Sequence, residues 1–99
     1  MTTNDIYKLI KSPSYAVTPN SSYKIYYVYN KQVHSECIHV HFFDTYMEIY
    51  KYKNMNSEYY ENIVTTNKRG NEIAKQFKKT LMAKRAVARI KMVWKNRNN

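Results

Sequence analysis

The chain holds a single glycine, Gly70, and two prolines, Pro13 and Pro19. That scarcity excludes a Gly-rich phosphate loop, which needs several glycines at fixed spacing to bring backbone N–H groups onto the anion. It also leaves few tight turns, so most of the 99 residues are expected in regular structure. The lone cysteine, Cys37, excludes an intrachain disulfide and fits a reducing compartment. No run approaches the ~18 apolar residues of a membrane span. The opening stretch MTTNDIYKLIKS lacks the charged start and apolar run of a secretory signal.

Acidic residues are nearly absent from the last third. Residues 68–99 carry eleven Lys and Arg against the single Glu72, a net of +10, whereas residues 1–67 carry six Lys against six acids and sum to zero. Folding does not require such asymmetry, because like charges repel one another and oppose compaction. The basic segment is therefore expected to face nucleic acid or another anionic surface.

What is abundant is tyrosine, eleven of the fifteen aromatic side chains. Tyr closes a core while keeping its hydroxyl at the edge, and it is frequent at interfaces. A hydrophobic content of 43% argues against wholesale disorder, and the length fits one domain with a small core. Lys, Asn, Tyr and Ile have A/T-rich codons, while the scarce Gly, Pro, Ala and Arg have G/C-rich ones. This bias points to an AT-rich genome, as in many large DNA viruses, some protists and some bacteria. The expected location is intracellular or within a virus particle.

Residues 4–11 are expected to form a short helix capped by Asn4 or Thr3, with Ile6, Leu9 and Ile10 on its apolar side and Ser12-Pro13-Ser14 ending it. Residues 15–22 read as loop, with Pro19-Asn20-Ser21 as turn chemistry. Three alternating stretches follow as strands. In residues 23–29, Tyr23, Ile25, Tyr27 and Tyr29 share one face. In residues 35–43, Ile38, Val40 and Phe42 oppose Cys37, His39, His41 and Phe43. In residues 46–53, Tyr46, Glu48, Tyr50 and Tyr52 oppose Met47 and Ile49. Thr45 followed by Glu48 matches a capping box, a competing helix signal, but the alternation favours strand. Residues 54–57 read as loop, residues 58–66 as strand rather than short helix, and Asn67–Gly70 as a break. Residues 71–95 contain no Gly or Pro, with Asn71 a fair N-cap and Glu72 suited to the positive helix start.

On a helical wheel this last segment has two apolar stripes. Ile73, Ala74, Phe77 and Leu81 share one face in its first half. Ala83, Ala86, Val87, Ile90, Val93 and Trp94 share another in its second half, roughly 140° away at 100° per residue. Lys84, Lys91 and Lys95 fall on the side the first stripe occupied, so a straight helix lying wholly on its own sheet would bury them. The first half is therefore expected on the sheet. The second half leaves it to meet something else, unless the helix kinks near Met82–Lys84 or the sheet twist follows the stripe.

The segment from Ala86 to Lys95 resembles an IQ motif: Ala86, Ile90, Trp94 and Lys95 match the pattern, Lys91 stands in place of its Gln, and Asn96 in place of its Gly. The resemblance covers about a tenth of the chain and implies a calmodulin-type or light-chain-type partner. Similar IQ-like helices occur in proteins of large DNA viruses. The order of helix, strands and basic helix is also similar to that of double-stranded-RNA-binding domains, though without their Gly-rich approach to the basic helix.

Cys37, His39 and His41 place three metal-capable side chains on one strand face, about 6–7 Å apart. They serve equally as the polar face of a half-buried strand. A fourth ligand of the usual kind is missing, unless a pairing strand brings Glu48, so the reading is no metal and no cofactor. The acids have no spacing that marks an acid/base pair, and neighbours two apart on a strand rarely meet with attack geometry; the expectation is no enzyme. The sequence thus predicts a single α+β domain: a three- or four-stranded antiparallel meander over residues 1–70, with a short N-terminal helix, and a long basic helix over residues 71–97. Two binding surfaces are expected on that helix. Lys75, Lys78, Lys79, Lys84, Arg85 and Arg89 are the candidates for phosphate contacts. Ala83, Ala86, Val87, Ile90, Val93 and Trp94 are the candidates for docking on a protein partner or for self-association.

Overall fold

A computed structural model describes residues 2–33, 37–44, 46–52, 60–66 and 71–97. The element order is α1 (Thr3–Lys11), β1 (Tyr15–Pro19), β2 (Ile25–Asn30), β3 (Cys37–Phe42), β4 (Met47–Tyr52), β5 (Tyr60–Thr65) and α2 (Asn71–Arg97). The strands form one antiparallel sheet in the order β1-β2-β3-β4-β5, an α+β meander of five strands rather than the three or four expected. The loop predicted at residues 54–57, the break at Asn67–Gly70, His34 and Thr45 lie outside the described residues, as does the side chain of Asn71.

The additional strand is β1, which falls within the stretch read as loop. Its signal is short: Tyr15 and Val17 are buried while Ala16 and Thr18 alternate with them, and turn residues follow at once. Pro19 fits only because β1 is an edge strand, where a missing N–H breaks no ladder. Asn20 builds the following turn: its Oδ1 accepts from Lys24 N and Ile25 N at 3.1 Å each. In a chain with one glycine, the left-handed position here falls to Tyr23, with φ of 57°, a conformation disfavoured for residues with a Cβ. Strand β2 accordingly begins at Ile25, not Tyr23.

Helix α1 starts one residue earlier than expected because the cap is Thr2. Thr2 Oγ1 accepts from Asp5 N at 3.2 Å and Asp5 Oδ2 accepts from Thr2 N at 2.9 Å, a reciprocal capping box that Asn4 or Thr3 cannot form with Asp5. In the stretch expected as strand from 46 to 53, Met47–Tyr52 forms β4: Met47 and Ile49 are buried, and Glu48 pairs with His41 across the β3–β4 ladder. The β4–β5 pairing carries a register shift between Ile49 and Tyr50. Beyond it, Thr66 closes the ladder, with Met47 N donating to its Oγ1 at 2.9 Å and Thr66 N donating to Met47 O at 3.0 Å.

Both helices cover one sheet face. Ile6 and Ile10 of α1 and Ala74, Phe77 and Leu81 of α2 bury against Tyr15, Val17, Tyr26, Val28, Ile38, Val40, Met47 and Ile49. Tyr7 joins the helices, its ring 5.3 Å from that of Phe77 and its hydroxyl 3.1 Å from Thr80 Oγ1. Ile73, expected in this stripe, is 40% exposed, since it lies about 80° from Leu81 on the wheel, at the margin of the contact.

Within the core, the Tyr26 hydroxyl is buried without a hydrogen-bond partner among the described residues. The ring itself packs edge-on to Phe42, with centroids 5.9 Å apart. A lone buried hydroxyl costs about 1–3 kcal/mol of desolvation. Tyr26→Phe is therefore expected to raise the melting temperature by about 4–8 °C, the shift for roughly 1 kcal/mol in a domain of this size. A lower melting temperature in a calorimetric scan contradicts this account of Tyr26.

Candidate nucleic-acid and docking interface

Helix α2 is continuous from Asn71 to Arg97, with no break at Met82–Lys84. At 1.5 Å per residue its 27 residues span about 40 Å, close to the 46 Å longest dimension of the molecule. Strands of six residues reach only about 20 Å. The helix therefore outruns the sheet. Ala74, Phe77 and Leu81 are buried, Lys84, Arg85 and Ala88 are half-buried, and every residue from Arg89 to Asn96 is exposed.

The second apolar stripe points largely away from the body, with Ala83 and Val87 at the rim of a groove beside α1 and β1. Ile90 sits about 180° from the buried Leu81 at 100° per residue. Val87, Ile90, Val93 and Trp94 are 52–65% exposed, and Ala83 and Ala86 are exposed beside them. No described element of the fold covers this ridge.

The six candidate phosphate-binding residues divide. Lys75, Lys78, Lys79, Arg85 and Arg89 lie on one flank of α2, within an arc of about 120° and over about 21 Å of helix. Four are exposed and Arg85 is half-buried. Lys78 Nζ stands 5.6 Å over the Phe42 ring, and Lys75 Nζ is 3.5 Å from Glu72 Oε1 in a solvated pair, worth little in water. Lys84 lies on the other flank and is engaged inside the fold: its Nζ donates to Ile10 O at 2.7 Å and to Ser12 O at 2.6 Å. It thus binds the carbonyls at the end of α1, groups a helix C-terminus leaves without internal partners. Burial, and then the nearby Lys31 charge, hold its ammonium below the usual lysine range. The sequence expectation of a phosphate contact at Lys84 is set aside for this structural role, which depends on α1 and α2 lying side by side.

The sheet face away from the helices carries a row of rings that sequence alternation placed correctly but did not connect. Tyr27, His39 and Tyr50 stand opposite one another across β2, β3 and β4. The His39 ring packs edge-on between Tyr52 at 4.1 Å and Tyr27 at 4.6 Å, and His41 packs edge-on to Tyr50 at 5.1 Å. The Tyr50 hydroxyl donates to the Glu48 carboxylate. Cys37, His39 and His41 do share this face. Among the described residues, however, no group of three or more His, Cys, Asp or Glu gathers to hold a metal ion. The His39 and His41 ring centroids are 6.3 Å apart, with the rings inclined at 28°. Burial also pushes the Cys37 thiol up, away from the thiolate a metal needs.

Burial among these rings, and then the nearby His41, lower the His39 pKa from 6.5 to about 4. Burial lowers His41 as well, opposed by Glu48. The unfolded chain takes up its proton near pH 6.5 and folded His39 only near 4, so unfolding binds protons between those values. Stability is expected to be whole above about 6.5 and to fall as pH drops toward 4. His39→Phe keeps the ring contacts and removes the titration. Melting temperature against pH should then flatten in that window relative to the parent protein; an unchanged slope contradicts the assignment.

No protein-family model, no curated protein and no solved structure matches the chain. Among the described residues, no helix is long and apolar enough to cross a membrane.

Proposed function

We propose that the protein is a non-enzymatic nucleic-acid-binding protein that contacts phosphates through α2. The observation that carries this reading is the flank of Lys75, Lys78, Lys79, Arg85 and Arg89, five cations on one side of a rigid helix with Glu72 as the only acid on that element. Phosphate contacts on such a flank are sequence-tolerant, because no base-reading constellation accompanies them. With about five phosphates contacted, log affinity against log salt is expected to slope near −4.5 on duplex DNA. Replacing Lys78, Lys79 and Arg85 with Glu is expected to abolish binding with the circular-dichroism spectrum unchanged. Affinity that does not vary with salt rules the mechanism out.

The exposed ridge of Val87, Ile90, Val93 and Trp94 favours a second reading, a structural or assembly role, including one in a virus particle. Its occupant is a protein with an apolar groove rimmed by acids. A second copy fits poorly, since residues 82–97 carry six cations and no acid, and pairing two such helices sets like charges against each other. The IQ-like spacing is a narrower form of this reading.

A further inference from the structure

A groove of about 560 Å³ runs between the outer edge of β1, the end of α1 and the second half of α2, within the range of ligand-binding clefts. Its apolar walls include Ile10, Pro13, Val87 and Ala88, and Lys11, Lys31, Lys84, Arg85 and Lys91 line it with no carboxylate among them. The exposed Lys11 and Lys91 take no part in the phosphate-binding flank described above.

The strand edge facing this groove has a definite polarity. Asn20 N donates to Ile25 O at 2.9 Å and Lys31 N donates to Ser14 O at 2.9 Å, which sets the phase of the β1–β2 ladder. In an antiparallel pair the bonded residues alternate. With Val17 opposite Val28 in this register, the Val17 N–H and C=O point away from β2, toward the free edge. Tyr15 N is satisfied by Ser12 O at 3.2 Å, and Pro19 has no N–H. The edge thus offers one donor and one acceptor side by side at Val17, and its pairing ends within a few residues.

We propose that this groove binds a short, extended, acidic peptide segment of a partner protein, which pairs with β1 at Val17. An adjacent donor and acceptor on a strand edge are matched by another peptide backbone; a phosphodiester has no donor to return. The charge of the lining selects an acidic occupant. Side chains alternate along a strand, so the matched segment turns its acidic residues toward the helix side, where Lys11 and Lys91 stand beside Val87 and Ala88, and its apolar residues toward the opposite side, beside Ala16 and Thr18. The site shares Arg85 with the phosphate-binding flank, so the variants that separate the two readings leave Arg85 in place.

The probe is an acetylated, amidated hexapeptide of alternating Val and Asp, titrated into the full-length, 15N-labelled chain. Binding is expected to shift the Val17 amide resonance. N-methylation of the peptide residue that pairs with Val17 removes one backbone hydrogen bond and should weaken binding about tenfold with the protein untouched. The double variant Lys11→Glu with Lys91→Glu should weaken it at least about tenfold through charge alone, whereas Lys78→Glu with Lys79→Glu should leave it unchanged while weakening duplex DNA. Three results each overturn the proposal: equal affinity for the Lys-for-Asp peptide, a Val17 resonance that does not move, or a poly-dT oligonucleotide that occupies the same resonances and displaces the peptide. Peptide binding without DNA binding removes the nucleic-acid reading and leaves this one standing.

Discussion

Phe77→Ala is expected to remove about 3–5 kcal/mol of stability, whereas Ile90→Ala combined with Trp94→Ala removes less than about 1 kcal/mol. All three residues lie on the same helix. Phe77 is 2% exposed and Trp94 58%, so only the first truncation empties packed volume. A 99-residue domain has only about 5–15 kcal/mol to lose, so Phe77→Ala brings it near the threshold, with a melting temperature lowered by more than about 12 °C. The double variant is expected to melt with the parent protein while losing capture of any protein that docks on the ridge. If it instead unfolds the domain as Phe77→Ala does, Ile90 and Trp94 are core residues and the docking reading fails.

Lys84→Met is expected to cost about 1.5–3 kcal/mol, the range for hydrogen bonds from a charged donor, and to lower the melting temperature by about 6 °C or more. Met keeps the aliphatic stem and removes the ammonium that Ile10 O and Ser12 O accept. The loss should concentrate at the end of α1, read as faster amide exchange there than in β3 and β4. Nucleic-acid affinity should change little beside that of Lys78→Glu. The opposite pattern, intact stability with lost binding, returns Lys84 to the phosphate-contacting set.

The two histidines and the tyrosines illustrate what pattern alone conveys. Alternation placed Ile38, Val40, Met47 and Ile49 inward and His39, His41, Tyr50 and Tyr52 outward, because a strand has a period of two whatever surrounds it. It carries no register information, so the edge-on packing of His39 between Tyr27 and Tyr52 was not legible, and neither was the lowered His39 pKa that follows from it. Strand β1 escaped for a different reason. Four alternating residues ending in Pro19 are too weak a local signal, and what makes them a strand is the ready ladder of β2 beside them. The groove at β1 was invisible with it.

By itself the sequence determined the charge division at about residue 68, the α+β class, the inward faces of β3 and β4, and the presence of two apolar stripes on one helix. These depend on composition and on the periods 2 and 3.6, which are local properties. Only the tertiary structure decided which stripe is core and which cation is structural. Leu81 is buried and Ile90 exposed because α2 lies on the sheet by the face that holds Ala74, Phe77 and Leu81, and Ile90 stands on the opposite side. Lys84 is held by α1 because two helices 72 and 74 residues apart in sequence at the bonded atoms meet on one sheet face. Both outcomes depend on the placement of separate elements, which no window of neighbouring residues encodes.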